Sequence, residues 1–281
     1  MTSDETLSAD WLGVCRRAAA ALEDVLARAP TTLQRAEETG ERGEGGDRTL
    51  VIDRDAEDAV FALLDELHGA GHRFCAVSEE RGIVDYGSHD VRVVVDPIDG
   101  SLNAKRGLPH HAISIAVADG PTMADVAFAF VHDYGPGEEW VARRGAGAAL
   151  NGRPLDPAAP ERRDAEGRLE VLGLESADPR WIAEVADRLP EHARRVRALG
   201  SIAVTLCQVA AARLDAMITL RRTRAVDAAA GQLIVREAGG HVAFPGFPDP
   251  LGAPLDVAPH SPLVAARSPE ALAALARVPL A

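Results

Sequence analysis

The sequence predicts a mixed α/β protein of 281 residues whose two halves are built differently. In the first half, apolar runs separated by Gly, Pro and Asp turns are typical of an antiparallel, meander-like sheet with helices, an α+β pattern. In the second half, strand-like runs alternate with helical periodicity, which indicates an α/β sheet covered by helices. A stretch rich in Pro, Ala and charge, 154–167, separates the two patterns. We therefore expect an α+β half over 1–153 and an α/β half over 154–281.

The first half begins with two predicted helices. Apolar residues recur at helical spacing over 8–29 and 54–68, and Asp53 is placed to cap the second helix. Between them, the polar and glycine-rich stretch 35–48 predicts a mobile loop. Four predicted strands and a turn follow, at 73–77, 112–118, 125–131, 139–143 and Asn151-Gly152.

The second half alternates between strands and helices. Short apolar runs predict strands at 169–174, 194–199, 216–220, 241–244 and 263–266. Helical periodicity predicts helices at 179–189, 201–212, 226–238 and 269–278.

The composition of the chain narrows its possible partners. Hydrophobic residues make up 47% and charged residues 26%, as in soluble globular proteins. Asp and Glu number 43 against 30 Lys and Arg, and the net charge of −13 argues against nucleic acid or an anionic membrane as partner. Three widely spaced cysteines and an acidic N-terminus unlike a signal peptide predict a cytoplasmic protein with reduced thiols. A small anion stays compatible, because metal-holding carboxylates present a positive site.

The most informative stretch is Val93–Ser101, with the sequence VVVDPIDGS. Its three valines predict a buried strand, and Pro97 fixes the backbone between two carboxylates at the strand end. Asp96, Asp99 and the Ile98 carbonyl then form a hard-oxygen site of the kind that Mg²⁺ prefers. The alternative is a plain Asp-Pro turn with solvated carboxylates.

Gly100 and Ser101 add a second chemical feature to this stretch. Gly100 allows a tight turn, and free backbone N–H groups of both residues suit a phosphate if a helical turn starts there. Paired glutamates, Glu79 and Glu80, end the preceding strand and return to this turn through a short connection. The pattern therefore predicts a joint site for a metal ion and a phosphate.

Four motifs, which follow one another along this chain in the order found in the family, resemble the signature of the inositol monophosphatase family. That family belongs to the lithium-sensitive, Mg²⁺-dependent sugar phosphatases. The four motifs are the central motif, an upstream pair of aspartates six residues apart, a pair of glutamates, and a C-terminal motif. In chain order they are Asp47 with Asp53, Ser78-Glu79-Glu80, Asp96–Ser101, and Ala225–Gly231 followed by Glu237–Gly240. The resemblance covers roughly residues 10–275.

The resemblance implies both a fold and an activity. The fold would be a layered αβαβα sandwich, one compact catalytic unit with the site between its halves. The activity would be hydrolysis of a small sugar or polyol phosphate, inositol 1-phosphate or fructose 1,6-bisphosphate, with two or three Mg²⁺ ions. A homodimer is common in the family and is expected here.

The resemblance also implies a set of metal ligands. Glu79, Asp96 and the Ile98 carbonyl would hold one Mg²⁺. Asp96 would bridge to a second ion that is also held by Asp99 and Asp227. Glu79 would touch a third, weaker ion as well. The alternative for Asp227 is a helix cap without a metal.

The remaining implied roles concern the water and the phosphate. Asp47 and Ser101 would orient and deprotonate a metal-activated water, with Glu79 supporting them through its metal. The amides of Gly100 and Ser101 would bind the phosphate, and Asp227 would also face the substrate. Asp53 is expected to be structural, as a cap or a support for the site.

Two departures from the family bear on the substrate. Many members carry a glutamate that contacts the inositol ring where this chain has Leu220, and the basic segment Arg221–Arg224 follows here. We hypothesise that some of these bases, with Arg222, Arg224 and Lys105 as the candidates, bind a second phosphate or another anionic group. The alternative is that they are surface bases of an acidic protein. The stretch Arg224–Asp227 resembles archaeal-type members that act on both inositol phosphate and fructose 1,6-bisphosphate more than it resembles other members.

Other functions remain open at this point. Adenosine 3′,5′-bisphosphate phosphatases and histidinol phosphatases share the same motifs. A protein of a different class, a non-catalytic metal- or phosphate-binding regulator, would keep the fold without the activity. A haloacid-dehalogenase-type phosphatase is disfavoured, because it needs Asp-x-Asp where this chain has Asp-x-x-Asp.

Overall fold

The computed structural model of this chain describes residues 2–42 and 48–279. The elements up to residue 154 are α1 Ser3–Leu7, α2 Trp11–Arg28, α3 Thr32–Arg35, β1 Glu38–Arg42, β2 Arg48–Leu50, α4 Val51–Gly69, β3 Phe74–Ser78, β4 Gly82–Asp99, α5 Ser101–Arg106, β5 Ala112–Ala118, β6 Val126–Asp133, β7 Glu138–Arg143, β8 Gly147–Leu150 and β9 Arg153–Pro154. The later elements are β10 Leu169–Glu175, α6 Pro179–Val185, α7 Leu189–His192, β11 Ala193–Arg197, α8 Ile202–Ala210, β12 Ala216–Thr219, α9 Ala225–Glu237, β13 His241–Ala243, β14 Val264–Ala266 and α10 Pro269–Leu275.

The first large sheet has the strand order β3-β4-β5-β6-β7-β8-β9. The long strand β4 passes β3 twice, so that Ser78 pairs with Gly82 on one side and with Val95 on the other. From β4 to β9, each strand is antiparallel to the next, as a meander requires. Because Ser78 lies beside Val95, the next residues along the two strands, Glu79 and Asp96, come out at the same edge of the sheet.

The second large sheet is mixed and has the order β11-β10-β12-β14-β13. Strand β10 is parallel to both β11 and β12. Strand β14 is antiparallel to both β12 and β13. The carboxyl end of β10, at Glu175, therefore lies beside the end of β12, where the chain turns towards α9.

Helices and sheets alternate in five layers. Helices α2 and α4 cover the outer face of the first sheet, where Trp11, Phe61 and Phe130 are buried. Helices α8 and α9 lie between the two sheets, in a core that residues of both halves share. Helices α6 and α10 cover the outer face of the second sheet, around Val185 and Leu275. The expected layered αβαβα sandwich is confirmed.

Most predicted elements are confirmed with small shifts of their ends, and the start of α4 shows one cause. The helix begins at Val51 rather than at 54. Asp53 is its third residue, and the carboxylate reaches back to accept a hydrogen bond from the Leu50 N–H at 3.3 Å. A carboxylate in the third position neutralises the free N–H groups of the first turn as a preceding cap would.

Three other expectations about local structure were wrong or incomplete. The stretch 35–48 contains the paired strands β1 and β2, with Glu38 opposite Leu50, rather than only a loop. The single helix expected over 179–189 is two helices, because Pro190 stands in the first turn of α7 and cannot continue a preceding helix. The sequence also gave no sign of β8, β9 or the first part of β4.

Two expectations from composition meet direct observations. Cys15, Cys75 and Cys207 are all buried and form no disulfide. Among the helices of the described residues, none combines the length and the apolar character that a membrane span requires.

Replacing Gly231 by alanine is expected to destabilise the protein, because this glycine of α9 packs directly against Leu206 of α8. A Cβ atom there would lie 2.6 Å from Leu206 Cδ1 and 2.8 Å from Leu206 Cβ. Overpacking of a core contact costs about 1–3 kcal/mol, which exceeds the helix-propensity gain of up to about 1 kcal/mol for Gly→Ala. Urea unfolding would measure the free energy of unfolding.

Gly69→Ala is the matched control for this substitution. Gly69 also lies in a helix, and a Cβ atom there would meet no atom within 4 Å. We expect it to be neutral or slightly stabilising. A Gly231→Ala variant as stable as Gly69→Ala would contradict the close packing of α8 on α9.

Candidate functional site

Three carboxylates from separate elements meet at one edge of the first sheet. Glu79 follows β3, Asp96 lies near the end of β4, and Asp227 lies in the first turn of α9. One oxygen from each lies within 4.8 Å of the others. Asp96 and Asp227 are buried, and Glu79 is half-buried. This group, the carboxylate cluster, consists of hard-oxygen donors spaced closely enough to share a divalent cation.

Burial makes the charge of the cluster unfavourable. It raises the pKa of Glu79 to about 7, with a further upward push from the charge of Asp227. It also raises the pKa of Asp96 well above its usual range, and the charges of Glu79 and Asp99 add to this rise. Like charges in a poorly solvated site resist ionisation unless a positive group is present. The cluster therefore has the electrostatics of a cation site.

Arg224 supplies a positive group to this cluster. Its Nη1 donates to Glu79 Oε1 at 2.5 Å, and its Nη2 contacts Asp227 Oδ1 at 3.4 Å. The Arg224 side chain is only 21% exposed. Its backbone N–H also donates to Asp227 Oδ2, at 3.2 Å, because Arg224 caps the start of α9. The guanidinium thus lies directly against two of the three carboxylates.

Asp99 is held differently from the carboxylate cluster. Its Oδ2 accepts hydrogen bonds from Ser201 Oγ at 2.5 Å and from the Ala203 N–H at 2.7 Å, at the start of α8. Burial, with the charge of Asp227 as the next cause, raises the pKa of Asp99 to about 7. Asp99 therefore joins the end of β4 to the second half of the chain through its Oδ2.

Gly100 turns the chain sharply after these carboxylates. Its φ is 85°, in the left-handed region, and α5 begins at Ser101 as expected. A Cβ atom at Gly100 would lie 2.9 Å from the His110 carbonyl oxygen and 3.0 Å from that of Gly200. Only glycine fits this close approach of three backbone segments.

A first cavity of about 220 Å³ opens over the cluster. Its polar lining is mostly acidic, and the walls combine the end of β4 with the start of α4 and of α5. The polar lining residues are Glu38, Asp53, Glu79, Glu80, Asp96, Ser101 and Lys105. Ile98 also lines it, in the central motif. An acidic cavity with one lysine suits a cation together with an anionic ligand.

Asp53 lines this cavity directly, whereas the sequence predicted only a structural role as a cap or a support for the site. Its Oδ1 is buried and has no hydrogen-bond partner among the described residues. Burial raises the pKa of Asp53 to about 6, and the charge of Glu80 adds to the rise. A buried carboxylate oxygen without a partner is costly and indicates a missing ligand or water. The upstream pair of aspartates was the available signal; its other member, Asp47, lies outside the described residues.

A second, larger cavity of about 790 Å³ lies on the other side of the site. Asp99 and Asp227 line it together with Arg222, Arg224 and Trp181. Leu102 lines both cavities and is 65% exposed, so the two spaces adjoin at this side chain.

The three candidate bases lie at different places around the site. Lys105 lies on the first cavity and the exposed Arg222 on the second. Arg224 is engaged by Glu79 and Asp227 between them. Arg222 and Lys105 therefore border cavities, whereas Arg224 pairs with carboxylates of the cluster.

The sequence profile described as the inositol monophosphatase family matches residues 8–278. The chain belongs to that family. Curated relatives include the fructose-1,6-bisphosphatase/inositol-1-monophosphatase of Methanothermobacter thermautotrophicus, 35% identical over 246 residues and 83% of each chain. That of Thermococcus kodakarensis is 36% identical over 234 residues, again 83% of each.

Other members of the family are similar as well. The Nus factor SuhB of Escherichia coli is 32% identical over 234 residues, 82% of this chain and 84% of its own. A solved inositol monophosphatase–fructose 1,6-bisphosphatase has a TM-score of 0.79 at 24% identity and covers 96% of this chain and 99% of its own. An Anabaena inositol monophosphatase has a TM-score of 0.71 at 23% identity, with 99% and 98% covered. These two structures support the shared fold.

Leu220 departs from many members of the inositol monophosphatase family in a way that the structure explains. Its side chain is fully buried and packs in the core of the second sheet with Leu174 and Ile218. Its backbone N–H donates to the Glu175 carbonyl oxygen at 3.0 Å. This position is part of the core, so it offers no polar contact to a substrate.

Two buried glutamates that support the site were missed. Glu57 accepts hydrogen bonds from Ser78 Oγ and from the Arg81 N–H, which fixes the turn that carries Glu79. Glu175 accepts from Thr205 Oγ1 at 2.7 Å and from the N–H groups at 199 and 200, beside the Ser201 that binds Asp99. The sequence offered a signal for Glu57, which lies on the apolar face of its helix.

Mg²⁺ is expected to raise the melting temperature more at about pH 8 than at about pH 5.5, because binding requires deprotonated carboxylates. The pKa of Glu79 and of Asp99, about 7 in the folded protein, exceeds the value of about 4 in an unfolded chain. Between these values the folded state binds more protons, so the stability that these groups contribute without metal falls as the pH rises. Thermal unfolding at the two pH values, with Mg²⁺ and with a chelator, would measure the rise in melting temperature caused by Mg²⁺ and the effect of pH on the metal-free protein.

Asp96→Asn should lose the Mg²⁺-dependent shift at both pH values, since it removes a carboxylate of the cluster. An equal shift at the two pH values in the unmodified protein would contradict the expected competition between protons and metal.

Proposed function

We propose that this protein is a Mg²⁺-dependent phosphomonoesterase that hydrolyses a small sugar or polyol phosphate, inositol 1-phosphate or fructose 1,6-bisphosphate, with a metal-activated water. The observation that carries the proposal is the buried cluster of Glu79, Asp96 and Asp227 beside the turn at Gly100. Membership of the inositol monophosphatase family, together with its curated phosphatase relatives, supports a phosphoric monoester hydrolase.

The residues present fit a divalent cation. Glu79, Asp96 and the Ile98 carbonyl would hold one Mg²⁺, and Asp99 and Asp227 would hold a second with Asp96 between them. Asp99 has one oxygen left for this role after its bonds to α8. When bound, Mg²⁺ lowers the pKa of a water and stabilises the charge of the leaving oxygen. Two or three ions are the expected number.

The task of orienting and deprotonating the water is assigned to Ser101 and to an aspartate of the upstream pair. Ser101 lines the first cavity with Asp96, where its hydroxyl can accept and donate hydrogen bonds. Asp53 lies on the same cavity with a buried oxygen that lacks a partner among the described residues, which favours it as the group that orients the water. Asp47 keeps its predicted role as a proposal, because it lies outside those residues.

The phosphate and the leaving group are assigned to opposite sides of the central motif. The N–H groups of Gly100 and Ser101, at the start of α5, would bind the phosphate. The alcohol would then extend into the second cavity, past Asp227, to the wall formed by Trp181 and Arg222. Arg221 supports that wall, because its guanidinium lies over the Trp181 ring at 5.1 Å.

A second candidate function rests on the relatives named Nus factor SuhB. It is a non-catalytic binding role in which the fold and the acidic site are kept. Two narrower alternatives keep the chemistry but change the substrate to adenosine 3′,5′-bisphosphate or histidinol phosphate. The homodimer, the cytoplasmic location and inhibition by lithium are further proposals from the family.

Phosphate release from a substrate panel is expected to depend on Mg²⁺ and to fall with added Li⁺. The panel is inositol 1-phosphate, fructose 1,6-bisphosphate, adenosine 3′,5′-bisphosphate, histidinol phosphate and glycerol 2-phosphate. Asp96→Asn should reduce turnover by at least about a hundredfold, since it removes a carboxylate proposed to hold the Mg²⁺ that stabilises the developing charge. Asp90→Asn, an exposed substitution on the same strand, is the matched control.

Release that persists in a chelator would contradict the metal-dependent mechanism. Absence of release from all five substrates, with the fold intact by circular dichroism, would favour the binding role.

Arg222→Ala is expected to lower kcat/KM for bisphosphates by about tenfold relative to monophosphates, because hydrogen bonds to charged groups contribute about 1.5–3 kcal/mol. Arg106→Ala, which removes an exposed base at the last position of α5, is the control. An unchanged preference between fructose 1,6-bisphosphate and inositol 1-phosphate would mean that Arg222 is a surface base only.

A further inference from the structure

We propose that Arg224 is a built-in counter-cation of the carboxylate cluster, which a divalent metal ion must displace, so that this residue sets the metal affinity of the site. The inference rests on the metal site of the proposed function. It adds a role that differs from the anion binding expected of Arg224 from the sequence.

The first argument is the choice of partners. Arg224 contacts Glu79 and Asp227, which are two of the three carboxylates in the cluster. These two belong to different parts of the fold, the turn after β3 and the start of α9. The guanidinium therefore offsets repulsion between carboxylates that the packing of sheet on helix forces together.

The second argument is that the ion pair and a metal ion compete for the same carboxylates. Glu79 Oε1 lies 2.5 Å from Arg224 Nη1, inside hydrogen-bond distance. A metal ion bound to the Glu79 carboxylate would lie next to the guanidinium. Two positive charges in a poorly solvated site repel each other strongly. Metal binding thus requires the guanidinium to leave or to share the carboxylates.

The third argument is that a path for this movement exists. Arg224 already lines the second cavity, whereas Glu79 lines the first, so the guanidinium lies at the boundary between them. The second cavity, of about 790 Å³, has room for the displaced side chain. Only the side chain of Arg224 would need to move. Its backbone is held at the start of α9 by the hydrogen bond from its N–H to Asp227 Oδ2.

Isothermal titration with Mg²⁺ alone, in the absence of substrate, tests the proposal. Arg224→Met keeps the length of the side chain and removes its charge, so the Mg²⁺ dissociation constant should fall by about tenfold. The melting temperature in chelator should also fall, because the carboxylates lose their counter-cation. The Mg²⁺ dissociation constant of Arg224→Lys should lie between those of Arg224→Met and the unmodified protein. One ammonium group cannot pair with both carboxylates as the forked guanidinium does.

Arg106→Met is the matched control, because it makes the same charge change on an exposed side chain at the last position of α5. Its Mg²⁺ affinity should stay close to that of the unmodified protein. If Arg224→Met binds Mg²⁺ with equal or weaker affinity, or if Arg106→Met tightens binding as much, the proposal is overturned.

Asp96→Asn separates this outcome from a failure of the proposed function. If the unmodified protein binds Mg²⁺ and Asp96→Asn does not, the metal site stands and the Arg224 variants alone decide. If no folded variant, including the unmodified protein, binds Mg²⁺, the metal site fails and the counter-cation role fails with it.

Discussion

Three carboxylates held within 4.8 Å of one another are the constraint on which the rest of the site depends. Burial and mutual repulsion both oppose their ionisation, so a positive group is needed for them to stay charged. The protein holds Arg224 against two of them, and the proposed function places divalent ions among all three. The acidity of the first cavity and its proposed affinity for cations therefore have the same cause, the crowding of buried carboxylates.

The fold produces this crowding by packing rather than by any single motif. Glu79 and Asp96 lie together because β3 and the end of β4 are in register. Asp227 reaches them because α9 is held between the sheets, against α8 at Gly231. Glu57 and Glu175, both buried, then fix the turn after β3 and the loop before α8. The carboxylates of the site thus depend on the first sheet and on the helix layer that packs against it.

The sequence allowed the local parts of the site to be predicted and left out the long-range parts. Pro97 and Gly100 constrain the backbone so strongly that Asp96, Asp99 and the start of α5 followed from their spacing. The pairing of Arg224 with Glu79, 145 residues earlier, depends on tertiary structure and had no local signal. The early part of β4 was missed for a similar reason, since its exposed residues are ordered by pairing with β3 and lack a clear alternation.

The bond from Ser201 to Asp99 joins residues 102 positions apart, and this separation has a kinetic consequence. Contacts between such distant segments require the closure of a long loop, and chains rich in them fold slowly. During synthesis, a chain that has completed only its first sheet carries Asp96 and Asp99 but not yet α8 or Asp227. Such a chain has the signature motif without the carboxylate cluster. Under the proposed function, divalent ions therefore favour the native state only in the last steps of folding, once the second half has docked.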